Sequence, residues 1–344
     1  MSSSWSSEYV SLMHYRKLSL NVGQILSALP FGILAALSFN LTFGRAAQLG
    51  INPDAHCKEF PVYATAHPGL NSILNAAFCP LAEFFDVLFK LPKGLDFSTY
   101  ISNITLPILL ILVFEAYRTS QSKFLKYPVV WFFVTNWATM GAVIPLYWMV
   151  SVLTGAPKLY RKRNAKMYTQ AEAEALVFGL IAGAVIPTFF LLKMYDAVVL
   201  AVWMLYPIFT AVAESAHLYL RPPSRFAESG IVTLRVLFIA CFILASSSHI
   251  ATVWPLFKDV NKLKEFLLPA LIPLPASTDA ASHYLDFLKW DLYFAHTSTI
   301  LATFWFAENL NQIFTIALWY VFSIPIVGSG AAVAGFAIWR NGLL

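Results

Sequence analysis

Eight windows of about 20 apolar residues run through this chain, and few folds can absorb them. A helix rising 1.5 Å per residue needs about 20 residues to cross the roughly 30 Å hydrocarbon core of a bilayer. Within lipid, backbone amides must be satisfied inside the segment, so such windows read as transmembrane helices. They fall at 23–43, 100–117, 129–153, 174–193, 196–217, 231–254, 287–307 and 312–339. Composition agrees: 58% of the 344 residues are hydrophobic and only 12% are charged, against about a quarter charged in soluble domains. The expected fold is an all-α, multi-pass membrane helix bundle forming one domain over 1–344, with both termini on one side. Nucleic-acid binding is not expected, because the net charge of +5 is spread over loops rather than along one face.

The polar start Met1–Glu8 lacks a basic stretch followed by a short apolar run and a small-residue cleavage site. The first span is therefore expected to be the targeting signal, in an endoplasmic reticulum membrane. Three cysteines make neither a disulfide framework nor a metal set, although Cys57 and Cys79 share the long loop 44–99 and could pair in an oxidising lumen. Within that loop, 72–90 is apolar but carries Glu83 and Asp86, and predicts an interfacial helix rather than a ninth span. The Pro- and Leu-rich segment 256–286 predicts a lid along the interface. Basic residues in the loops at 118–126 and 158–166 fall on opposite sides, so the positive-inside rule assigns no orientation.

An ionisable group in hydrocarbon costs about 3 kcal/mol on insertion scales, so it marks a candidate functional site. Glu115, Asn136, Asp196, His249, Asp291 and His296 lie in or at the mouths of the spans. Counting spans from the N-terminus puts all six in the same half of the bundle. That count fails if it is wrong by one between the second and seventh spans. Two carboxyls in a low-dielectric mouth would hold one protonated, fit to donate to an epoxide, ether or olefin oxygen or carbon. The aromatic load of the third, fifth and seventh spans, with Trp137, Trp203, Tyr206 and Phe294, would shape a slot for a long apolar ligand. Each ring face would stabilise a cation by about 0.5–2 kcal/mol.

Each group also has an ordinary structural reading. Asp196 can cap a helix, Glu115 can pair with Arg118, and the two histidines can be hydrogen-bonded bundle residues. Aromatic residues form interfacial belts in most membrane proteins. Asp291 is the strongest candidate for chemistry, with Asp196 or Glu115 as its partner, and with Asn136 and His249 orienting them. No metal-ligand pair, phosphate-binding loop, nucleophile elbow or Asp-rich diphosphate motif occurs, and neither a metal nor another cofactor is expected.

The stretches FLKWDLYFAHTSTILATFW (Phe287–Trp305) and YDAVVLAVWMLYPIF (Tyr195–Phe209) resemble fungal integral-membrane terpene cyclases. The larger eight-span type, similar to cyclases of the ascofuranone, ascochlorin and indole-diterpene pathways, is nearer than the pyripyropene type. The resemblance implies cyclisation of a prenylated aromatic whose terminal olefin is an epoxide, through a Glu and Asp pair. Asp291 matches the later acid by its place in the seventh span, and Glu115 stands for the earlier one, although the smaller family's early pattern is not reproduced here. The implied partners are this lipophilic epoxide, membrane lipid and an upstream epoxidase in the same membrane. The rival expectation is a proton-coupled transporter or lipid-binding membrane protein.

Overall fold

The computed structural model describes residues 22–45, 81–118, 124–155, 168–194, 196–340 and 342. Cys57, Cys79 and the first part of the 72–90 segment lie outside them; 81–90 is helical (α2). The described chain is all-α. Five of its helices are long and apolar enough to cross a membrane: Val22–Gly44 (α1), Pro92–Tyr117, Gln170–Met194 (α6), Ile231–Lys258 and Leu310–Val327 (α12).

Local chemistry sets the helix starts. Pro92 opens α3 (Pro92–Arg118) and Pro128 opens α4 (Pro128–Ala138), where a missing N–H costs nothing. Thr169 and Glu172 form a reciprocal capping box on α6. Asp196 caps α7 (Ala197–Trp203), and Asp279 caps α11 (Ala280–Thr303), starting that helix about two turns before the apolar window at 287. Its first two turns carry His283 and Asp286, which lie outside the apolar window, and Lys289 and Asp291 follow inside it.

Three expected spans are broken. The window 129–153 turns back on itself at Thr139, whose φ is 66°, so α4 and α5 (Met140–Leu153) lie side by side. Trp131 and Tyr147 meet edge to face at 5.5 Å, where a continuous helix would hold them about 24 Å apart. The window 312–339 likewise turns at Gly328 (φ 86°) between α12 and α13 (Ser329–Arg340). Across this turn the Trp319 indole donates to the Ala332 carbonyl at 2.8 Å. The window 196–217 breaks more gently, at Met204 and Leu205, between α7 and α8 (Tyr206–Leu220).

The turn at Thr139 inverts the side assignment of everything that follows it. Gln24 at the start of α1 lies against Gly155, at the far end of α5. At the same end of the bundle Tyr168 donates to the Phe114 carbonyl, and Arg340 reaches Glu115. The opposite end is roofed by a short 3₁₀ turn (Trp254–Lys258), by α10 (Val260–Leu267) and by an extended strip to Asp279. Of the expected lid 256–286, residues 256–279 roof the end away from Glu115 and 280–286 belong to α11, with α9 (Ile231–Val253) rising into the roof.

Candidate active site

A cavity of about 1210 Å³ opens beneath this roof, walled by α1, α2, α3, α4, α6, α7 and α11. That volume exceeds the usual range for a drug-sized ligand, roughly 300–1,000 Å³, and suits a long molecule. Its walls are mainly apolar and aromatic: Phe43, Phe84, Phe85, Phe89, Trp137, Phe189, Trp203, Tyr206 and Phe287 all line it. Asp291 lines it too, although its residue surface is only 5% exposed.

The turn at Thr139 explains how Asp291 is held. The backbone N–H of Gly141, in the first turn of α5, donates to Asp291 Oδ1 at 2.5 Å, and the Met140 N–H and Thr139 side chain face the same carboxylate. A helix N-terminus presents free N–H groups and a favourable dipole to an acid, so Asp291 is fixed by the start of α5, which packs directly against α11. The approach is close. A Cβ at Gly141 would come within 2.7 Å of the Asp291 carbonyl and of Ser38 Oγ.

The six polar groups separate in the structure. Asn136 lies near the Thr139 turn, lines the cavity and donates to the Met204 carbonyl at 2.7 Å, tying α4 to the break between α7 and α8. Asp196 is at the same end but exposed; it accepts from the Val198 and Val199 N–H groups as a helix cap and is not among the cavity's lining residues. His249 and His296 also sit at this end, yet both serve the Gly328 turn. His249 bridges the Tyr100 hydroxyl (2.9 Å) and the Pro325 carbonyl (3.3 Å). His296 bridges Thr105 (3.2 Å) and Ser329 (2.8 Å). Neither histidine lines the cavity.

Glu115 corrects the parity argument. It lies at the opposite end, buried against Arg340, whose Nη1 is 2.6 Å from Oε1, and Arg340 stacks 3.5 Å over the Phe306 ring. The sequence count missed the reversal at Thr139, so the acid assigned to Asp291's side lies toward the opposite end, about 22 Å along the helix axes by the helical rise from the Thr105–His296 contact. Its ion pair with Arg340 ties α3 to α13; the Arg118 side chain lies outside what the structure describes. Among the aromatic candidates, Trp137, Trp203 and Tyr206 line the cavity, with the Trp203 indole donating to Thr188 at 2.9 Å. Phe294 instead stacks on Trp290 at 5.7 Å and is not a lining residue.

Several lining residues went unnamed in the sequence reading. Asp96, Thr99, Asn103 and Leu106 follow one face of α3 at helical spacing and all border the cavity. Asp96 was overlooked because the apolar window begins only at residue 100, after the helix has made two turns. Lys193, His283, Tyr284 and Asp286 complete the polar rim. The roof is latched there by Arg45, which donates to the Ala270 and Leu271 carbonyls at 2.8 and 2.9 Å and lies 3.5 Å from Asp286. Asp286 in turn accepts from the Ala270 N–H at 2.5 Å, and Pro273 and Leu274 press onto the cavity. Lys289, two residues before Asp291, turns away and donates to the Glu265 and Leu268 carbonyls beneath the roof.

No curated protein and no solved structure shows a significant match to this chain. A family model described as the CtvD domain matches residues 81–344, which takes in every helix of the cavity except α1. The match extends over well more than half of the sequence, and it supports a biosynthetic enzyme in a fungal meroterpenoid setting with cyclase-like character. The chain belongs to the CtvD family.

Proposed function

We propose that this protein is a membrane terpene cyclase that opens the terminal epoxide of a farnesylated phenol inside the roofed cavity. The observation that carries the reading is a single one: a carboxylate fixed by the start of α5 inside a large, aromatic-walled, roofed cavity. Asp291 is the general acid. Its proton goes to the epoxide oxygen, the C–O bond at the more substituted carbon breaks, and an internal olefin or hydroxyl supplies the electrons that close the ring. The final cation returns a proton to the carboxylate or to solvent, so substrate and product have equal mass. Such proton transfer contributes about 10²–10⁴-fold, and the reaction needs no metal. Trp137, Trp203 and Tyr206 stand where ring faces can stabilise developing positive charge, and the roof keeps water from capturing it.

A substrate of this kind is soluble in lipid and would reach the cavity from the membrane, where an upstream epoxidase would supply it. We assign the protein to the endoplasmic reticulum on the same reasoning. Microsomes containing the protein, given a farnesyl-phenol epoxide, should yield a cyclised isomer of unchanged mass. The Asp291→Asn protein should accumulate to the same level in the membrane and yield none. Turnover by that variant at the wild-type rate would sink the assignment of the acid.

A further inference from the structure

His283, Phe287 and Asp291 are spaced at four-residue intervals on α11, and all three line the cavity. They form a line running inward from the roof, about 12 Å long by the helical rise. At its outer end the rings form a packed aromatic cluster that borders the cavity. Phe84 of α2 sits 4.8 Å from Tyr284 and 5.5 Å from Phe287, and Phe43 of α1 meets Phe287 edge-on at 5.7 Å. Two polar atoms here are buried without a hydrogen-bond partner among the described residues: His283 Nε2 and Glu83 Oε2, the latter near Tyr284. A buried polar atom without a partner is uncommon and calls for a physical reason. By contrast Asp286, one turn inward of His283, is committed to Arg45 and Ala270. The deeper wall, from Leu106 and Leu109 to Ala184 and Val185, is apolar.

We infer that the rim is a head-group subsite: a planar ring bearing a hydroxyl packs against the cavity side of the Phe84, Tyr284 and Phe287 cluster, with that hydroxyl hydrogen-bonded to His283. The inference rests on the epoxide-opening reading and deepens it. The ligand's apolar chain then points inward, and the distance from His283 to Asp291 fixes how far the reacting carbons lie from the ring. Chain length becomes a specificity determinant set by one helix, and His283 becomes the residue that distinguishes a free hydroxyl from its ether.

The test compares wild type, His283→Ala and His283→Asn in microsomes, using prenyl-phenol epoxides of several chain lengths and the methyl ether of each. For the free phenol, His283→Ala should raise KM about tenfold, the scale of one hydrogen bond, while kcat is retained; His283→Asn should recover part of the loss. The methyl ethers should show the same KM on wild type and His283→Ala, and wild type should prefer one chain length. Equal KM for phenol on wild type and His283→Ala, or a flat chain-length profile, would overturn the proposal. A binding readout separates this outcome from failure of the cyclase reading. The non-epoxidised prenyl phenol should stabilise wild-type protein against heat more than its methyl ether does, and this difference should vanish in His283→Ala. If that pattern appears without any turnover, the head-group subsite stands and the cyclisation reading falls; if phenol and ether stabilise wild type equally, the subsite falls.

Discussion

The two ends of this bundle hold similar residues in opposite circumstances. At the end near Val22, acids are closed into pairs: Glu115 with Arg340, Glu174 with His217 and Arg221, and Glu214 with the Tyr117 hydroxyl. At the roofed end Asp291 faces a cavity, held by a backbone N–H rather than by a basic side chain. An acid buried in a membrane protein is therefore not in itself a reactive one. What separates Glu115 from Asp291 is that a guanidinium neutralises the first, whereas backbone N–H groups only orient the second.

The largest effect expected from breaking this contrast is at the closed end. Glu115→Ala leaves the Arg340 guanidinium buried without its carboxylate, which costs about 3–5 kcal/mol. Thermal unfolding in detergent should register that loss, and Arg340→Met added to it should restore part of it. An unchanged midpoint for the single variant would mean that the pair is unimportant.

At the roofed end, Gly141→Ala forces a Cβ to within 2.7 Å of the Asp291 carbonyl and Ser38. Overpacking of this kind costs about 1–3 kcal/mol, and here it also displaces the N–H that fixes Asp291. Stability and turnover should fall together, whereas Glu115→Ala should lower stability alone. A Gly141→Ala protein with normal turnover would show that the α5 start does not position the acid.

A smaller effect should follow Gly328→Ala. The left-handed φ of 86° costs a side chain about 1–2 kcal/mol, and the Cβ would sit 2.8 Å from the His249 ring. Unfolding should shift modestly while KM holds, because the two histidines at this turn stand outside the cavity. The mildest variant is Arg45→Ala, which removes two hydrogen bonds to the roof. Amide exchange in 268–274 should quicken, without change in the helices of the closed end. Equal exchange in both proteins would mean that Arg45 is no latch.

Much of this was legible in the sequence, and the failures share a physical origin. The apolar windows located the helices because burial in lipid demands them, and Asp291 stood out as an acid with no basic neighbour on its face. The turn at Gly328 carries a readable mark, since glycine tolerates positive φ at a helix end. The turn at Thr139 carries none: Thr, Met and Gly interrupt an apolar run of ordinary length, and a threonine at φ 66° is held there by tertiary contacts. One unreadable reversal moved Glu115 to the wrong side, while Asn136, Asp196, His249, Asp291 and His296 kept one another's company. Asp96 and the Arg45 latch were missed for another reason. They lie beyond the apolar windows, where hydropathy gives no sign of how far a helix extends.

The central claim is that chemistry belongs to the roofed cavity and not to the closed end. Its most direct test is turnover of a farnesyl-phenol epoxide per folded molecule, measured side by side for Asp291→Asn and Glu115→Gln. Loss of cyclised isomer in the first and wild-type turnover in the second is the expected result. Retention in the first, with loss in the second, would contradict it.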